Sequence, residues 1–557
     1  MRSLVSLFAL TLLAACSPPK PTPADLVLTG GKIATQDPAR PLAEALAATG
    51  DQIVAVGSAE EIASHIGPAT KVIDLAGRFA MPGFIEGHGH FLSVGQARMQ
   101  LDLTTAKTWD EIVAKVGEAA KTAQPGAWIM GWGWHQEKWE KTPEPNVEGF
   151  PLHDALSAAS PNNPVFLDHA SGHAVFVNAK AMELSGVTAA TANPPGGEIL
   201  RDAAGRPTGL FRETAAELVS RQTPPTEAEL RQAVDLATDE CLKKGVTSFQ
   251  DAGSPVGLVG LYRQLAEVGQ LRLRLWVMYR DSNERLRAAL AAGPPYADKF
   301  FKAGGIKHQI DGALGSRGAW LLAPYSDLPG STGLNTTPIA TLEESAGIAL
   351  EHGLQLCVHA IGDRANRETL DLFERSFIAH PEKKDLRWRV EHAQHLDPAD
   401  IPRFAKLGVV ASMQAIHCTS DGPWVPQRLG EERSRTGAYV WRKLLDSGAV
   451  VSNGTDAPVE DVNPIPGIYA AVTRRMKNGE AFYPEEKMTR EEALAAYTTK
   501  AAYAAFQENE KGRLAPGMLA DIVVLSQDLL TVPDDKILDT RVVTTLVGGK
   551  VVYESGR

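Results

Sequence analysis

Phe84-Ile85-Glu86-Gly87-His88-Gly89-His90 sets two histidines two residues apart after an apolar run. In an extended strand residues i and i+2 point to the same face, so the imidazoles of His88 and His90 can reach one ion. The same pattern, a ligand-type side chain at the end of a β-like run, returns three times. His359 closes Leu354-Gln355-Leu356-Cys357-Val358, His392 closes Arg387-Trp388-Arg389-Val390-Glu391, and Asp456 follows Val450-Val451-Ser452-Asn453-Gly454-Thr455. Each stands where a strand of a parallel barrel would exit at its carboxyl end, the face on which such barrels keep their chemistry. Four histidines and one aspartate in that register predict a metal site, with zinc favoured by the His-rich set.

Outward from these ends, β-rich runs at 245–250, 271–279, 305–310, 354–360, 388–391, 409–413 and 449–452 alternate with helical patterns. That cadence predicts an α/β chain folded as a (β/α)8 TIM-like barrel over 81–511. The stretch from about 91 to 206 is rich in Trp, Pro and Asn and too long for an ordinary connection, so it reads as an insertion covering the barrel mouth. Residues 24–80 and 512–557 carry short β segments separated by glycine turns such as Gly30-Gly31 and Gly50-Asp51. These ends are expected to form one small composite β-sandwich.

The chain has 557 residues, enough for one large domain plus a small one. With 44% hydrophobic and 22% charged residues it can bury a sizeable core, which excludes bulk disorder. A net charge of −11 without a basic patch excludes nucleic acid as a partner. Met1-Arg2, the mostly apolar run from Leu4 to Leu13 and the small Ala14-Ala15 before Cys16 read as an export signal over residues 1–16. The run falls short of the about 20 apolar residues a membrane span needs. Leu13-Ala14-Ala15-Cys16 resembles the bacterial lipobox, in which the cysteine is acylated, and the Pro-rich 17–23 reads as a tether. The expected location is the bacterial cell envelope, with the protein lipid-anchored through Cys16, most readily in the outer membrane, and facing the periplasm. Cys241, Cys357 and Cys418 are too few and odd in number for a disulfide framework.

Six stretches carry a family resemblance over nearly the whole mature chain: Met81 to His90, Ser171 to Asn178, Lys307 to Arg317, Val358 to Ala365, Val390 to Gln394, and Thr455-Asp456-Ala457-Pro458. Together they resemble the amidohydrolase superfamily, in the branch of N-substituted formamide deformylase and YtcJ-like proteins. The resemblance implies a centre with His88, His90 and Asp456 on one divalent ion and His359 and His392 on a second. In relatives with two metals an anionic carboxylated lysine bridges the ions, and the matching position is Lys307. His308 should point to the opposite strand face and pack. By the resemblance alone, His173, Asp311 and Arg317 are candidates for oxyanion or substrate contact.

Charge then sets the expected mechanism. A metal lowers the pKa of bound water towards 7 and polarises a carbonyl, so hydroxide is available to cleave an amide or formamide C–N bond. Asp456 would take the water's proton and pass it to the departing amine. Trp132, Trp134 and Trp139 around His135 either line an aromatic substrate pocket or pack beneath the insertion, with Trp134 the substrate candidate. Glu213 and Asp251 are candidates for orienting ligands. A single-metal, deaminase-like site would put a glutamate near the later histidines, whereas Ala360-Ile361-Gly362-Asp363 follows His359 and Lys307 would have no role. A binding lipoprotein without catalysis would be expected to have lost a ligand or the base, and the sequence retains all of them.

Overall fold

The computed structural model describes residues 22–219 and 224–556. The predicted signal peptide, Cys16 and residues 17–21 of the tether lie outside the described residues. Eight strands form one parallel sheet: β1 (Phe84–Gly89), β2 (Val246–Ser254), β3 (Arg274–Tyr279), β4 (Phe301–Gln309), β5 (Gln355–Ala360), β6 (Arg389–His392), β7 (Val410–Met413) and β8 (Val450–Asn453), each paired with the next in chain order. The sheet curls until its edges meet. Asp456 N–H donates to His88 O at 2.8 Å and His90 N–H to Ala457 O at 2.7 Å, which ties the exit of β8 to the exit of β1. Gly87 permits this closeness, since a Cβ there would lie 2.4 Å from Asn453 O. This is the predicted α/β barrel, and its strands lie close to the runs read from the sequence.

Strands β5, β6 and β7 are buried along their whole length, as expected of parallel strands covered on both faces. The helix Asp363–Ala379 turns Ala365, Asn366, Thr369, Leu370, Leu372 and Phe373 inward, a stripe of helical period. Phe373 meets Trp388 edge-on with ring centroids 5.1 Å apart, and burying such a side chain stabilises the fold by roughly 1.5–3 kcal/mol. The helix Ile339–His352 ends at Gly353, whose φ of 65° suits the left-handed cap that only glycine adopts cheaply.

Strands from both chain ends share one six-stranded sheet, in which Ile522–Leu525 pairs antiparallel with Phe79–Pro82. Leu28, Ile33, Leu46, Ile53, Leu514, Ile522 and Leu546 pack into one core between that sheet and a four-stranded sheet built from 26–74. Between β1 and β2 a further six-stranded sheet begins at Leu101–Asp102 and includes Pro207–Glu213, past the residue 206 at which the sequence reading ended the insertion. Among the described residues no helix is long and apolar enough to cross a membrane.

Candidate metal centre

The carboxyl ends of β1, β5, β6 and β8 bring His88, His90, His359, His392 and Asp456 together. Asp456 Oδ1 lies 3.4 Å from His88 Nε2 and 3.2 Å from His90 Nε2. The His392 ring is 4.6 Å from that of His88 and 4.4 Å from that of His359, centroid to centroid. His88 Nε2, His359 Nε2 and Asp456 Oδ1 are buried and have no hydrogen-bond partner. Such orphaned atoms cost about 1–3 kcal/mol each unless something binds them. Imidazole nitrogens and a carboxylate oxygen converging on one point form a donor set for a divalent cation, so the residues fit the implied metal. His392 and Asp456 hold φ values of 76° and 56°, a left-handed backbone that costs of order 1–3 kcal/mol and persists where a site requires it.

A second ring of hydrogen bonds sets which nitrogen of each histidine faces inward. Glu391 accepts the Nδ1–H of His88, leaving Nε2 bare. Burial pushes the Glu391 carboxyl up, but the Arg389 guanidinium, 2.7 Å away, and His88 outweigh it and hold the group well below the usual carboxylate range. His392 donates Nδ1–H to Gln414 Oε1 at 2.6 Å. Glu86 accepts from Thr455 N–H at 2.6 Å and Thr455 Oγ1 at 2.9 Å, next to Asp456 in the chain. Asp251 accepts from Phe91 N–H at 2.9 Å, at the residue after His90. Burial raises the pKa of Asp456 as well, yet the close imidazoles of His88 and His90 outweigh it and hold the carboxyl well below its ordinary value.

Lys307 is buried on β4, beside β5, with Nζ 3.3 Å from Ala252 O. Burial first, and Arg280 second, push its pKa down to about 8. His308 faces the other way, onto Ser345 Oγ at 2.7 Å. His173 sits 5.0 Å from the His359 ring, with Nδ1 on Glu213 Oε2 at 2.8 Å; Glu213 thus orients His173 rather than a ligand. Burial lowers the pKa of His173, and the Glu213 carboxylate more than offsets this.

Three substrate candidates have other partners in the structure. Trp134 is fully buried in the insertion core, stacked on Trp139 at 6.0 Å with Nε1–H on Leu167 O at 2.9 Å, because a large aromatic gains most where it is enclosed. Asp311 spends its carboxylate on the backbone N–H groups of Trp320, Ile361 and Gly362 at 2.8–3.0 Å, fastening the loop after β5, with Oδ1 3.5 Å from His359 Nε2. Arg317 turns to Asp327 at 3.0 Å. None of the three lines the cavity beside the centre. That cavity, about 50 Å³, is walled by His135, His173, Gln394, His417 and Trp424 next to His392 and Asp456. It shares Lys138, Ala170, Val459 and Glu460 with an outer cavity of about 480 Å³, which Trp132 lines. His417 was missed by the sequence reading: it lies four residues beyond β7 on the short helix Ala415–Asp421, off the strand-end register that exposed the other histidines.

The model of a family described as the amidohydrolase family matches residues 71–553. Protein LONG AFTER FAR-RED 3 of Arabidopsis thaliana is 35% identical, covering 97% of this chain and 94% of its own. Putative amidohydrolase YtcJ of Bacillus subtilis is 32% identical (90% and 94%), and N-substituted formamide deformylase of Arthrobacter pascens is 27% identical (95% and 98%). Among solved structures, an uncharacterized metal-dependent hydrolase of Pyrococcus furiosus superposes with a TM-score of 0.70 at 27% identity, over 91% of this chain and 100% of that one.

Proposed function

The chain belongs to the amidohydrolase family and is a metal-dependent hydrolase acting on carbon–nitrogen bonds; from its site we propose that the substrate is a small N-substituted formamide or an amide with a compact acyl group. The observation that carries this is the set of orphaned inward atoms, His88 Nε2, His359 Nε2 and Asp456 Oδ1, beside a cavity of only about 50 Å³. That volume admits a few water-sized groups, at roughly 10–15 Å³ each. A formyl-sized acyl group fits there, with the nitrogen substituent directed into the outer cavity. The deformylase relative, whose name gives N-substituted formamides as its substrates, supports the same reading.

A divalent cation held by His88, His90, His359, His392 and Asp456 would supply a Lewis acid for the carbonyl and lower the pKa of water towards 7. The chain's own groups do the rest. Asp456, ionised at neutral pH, accepts a proton from the attacking water and returns it to the departing nitrogen, so that water and amide become acid and amine. His173, held by Glu213, faces the carbonyl, and the insertion keeps bulk water out. We take the metal to be zinc, two per chain, with Lys307 as a carbamate formed from its amine and carbon dioxide with loss of a proton. In this reading the protein works in the cell envelope, anchored through Cys16; release of a Cys16→Ser protein from the membrane fraction tests that part.

Elemental analysis of protein lacking residues 1–16, beside a Lys307→Ala variant, tests the centre, and a panel of N-substituted formamides, acetamides and N-acyl amino acids tests the substrate. The expected result is two metals falling to one or fewer in the variant, with formamides cleaved fastest. One metal in both proteins overturns the bridge, and a preference for bulky acyl groups overturns the substrate class.

A further inference from the structure

Two histidines and two glutamines at the ends of β6 and β7 are wired crosswise. His392 gives its Nδ1–H to Gln414 Oε1 at 2.6 Å, and Gln414 is held in that sense because its own Nε2 donates to Ser412 O at 3.1 Å. The bare Nε2 of His392 is therefore free to ligate. His417 is set the opposite way: its Nδ1 lies 3.0 Å from Gln394 Nε2. With the Gln394 amide turned this way its NH2 donates, so His417 Nδ1 is the acceptor and the neutral ring carries its proton on Nε2. That Nε2 is buried in a residue 5% exposed, has no hydrogen-bond partner, and belongs to a side chain on the wall of the inner cavity.

Proximity alone would make His417 a metal ligand. One of its ring nitrogens lies within 4.8 Å of ligand atoms of both His392 and Asp456, and its ring stacks on His392 at 6.5 Å. A nitrogen that carries a proton has no lone pair for a cation, so the wiring argues against ligation. We propose that His417 is a substrate-contacting hydrogen-bond donor, its Nε2–H directed at the carbonyl oxygen that gains charge when the reacting carbon becomes tetrahedral, with Gln394 as the positioning residue that fixes the tautomer. The proposal rests on the hydrolase reading for its substrate and on the wiring alone for its proton. A fixed donor in a dry site, aimed where charge develops, acts on the transition state more than on the bound substrate.

The test uses the metal-loaded enzyme and its His417→Ala, His417→Gln and Gln394→Glu variants. Metal content should stay at the wild-type level in His417→Ala, while kcat/KM on the best formamide falls about a hundredfold or more. His417→Gln, which keeps an N–H donor, should recover much of that loss. Nitrogen-15 spectra of histidine-labelled enzyme, with His417 assigned by its disappearance in the Ala variant, should show Nε2 protonated and Nδ1 bare. Gln394→Glu, whose carboxylate only accepts, should move the proton to Nδ1. Loss of metal in His417→Ala, an unchanged kcat/KM, or a proton on Nδ1 in the wild type would each overturn the proposal. If the loaded wild type cleaves none of the amide panel, the substrate reading fails instead, and the spectra still decide the tautomer.

Discussion

His88 can ligate only through Nε2, and what guarantees that is Glu391, three hundred and three positions along the chain, whose carboxylate takes the Nδ1 proton. Arg389 in turn holds Glu391 ionised, so one buried ion pair and one hydrogen bond fix the tautomer of a ligand. Glu391→Gln keeps the shape and removes the charge. We expect its metal affinity, measured by competition with a chelator, to fall about 10–100-fold. The buried Arg389 guanidinium would then keep only the neutral acceptors of Gln250, Gly87 and Ser412 and lose its counter-charge, so Tm should fall as well. An unchanged metal affinity would mean that the fold positions His88 without help from Glu391. The ligands themselves were legible because strand ends impose a register that the sequence displays directly. Glu391, Gln414 and His417 were not, because their partners are set by which strands are neighbours, and no local period announces that.

At the scale of elements, strand placement was legible because parallel strands buried on both faces read as short apolar runs between turn signals. The insertion was legible only as an interruption. Its tryptophans show why: Trp-rich sequence near a barrel mouth fits an aromatic pocket and a packed core equally well, and the difference lies in the pairing of Ile129–Trp134 with Val165–His169, which turns Trp134 inward. Trp134 meets Phe150 and Phe176 edge-on, with centroids 6.3 and 6.1 Å away. Trp134→Ala should therefore destabilise the protein by about 3–5 kcal/mol, the range for truncating a large buried aromatic. Trp134→Phe, which keeps most of the packing and loses the Nε1–H bond to Leu167, should leave KM unchanged and lower Tm only slightly. A raised KM with unchanged Tm in Trp134→Phe would restore this residue to the substrate site.

Across the whole molecule, the chain's two ends meet beneath the barrel, and the joint is made of buried charge. Arg274 at the start of β3 forms a two-pronged pair with Asp521, with Nε and Nη2 at 2.6 and 2.9 Å, and Asp521 also accepts from Gly548 N–H. Beside it Lys511 is 4% exposed and donates to Ser248 Oγ on β2 at 2.6 Å, with no carboxylate paired to it among the described residues. Burial first, and the Arg274 charge second, push the Lys511 pKa down to about 7. An unfolded lysine titrates near 10.4, so between these values the unfolded chain binds more protons than the folded one. Stability must then rise with pH across that window, with a slope of up to about 1.4 kcal/mol per pH unit from this group. Below pH 7 both states are protonated and the contribution is flat. Lys511→Met removes the titrating group and fills the same space, so the Tm of the wild type relative to this variant should climb steadily from pH 7 to 9. A difference independent of pH over that range would show that Lys511 stays charged in the fold, and the joint would then owe its cohesion to the Arg274–Asp521 pair and the apolar core above it.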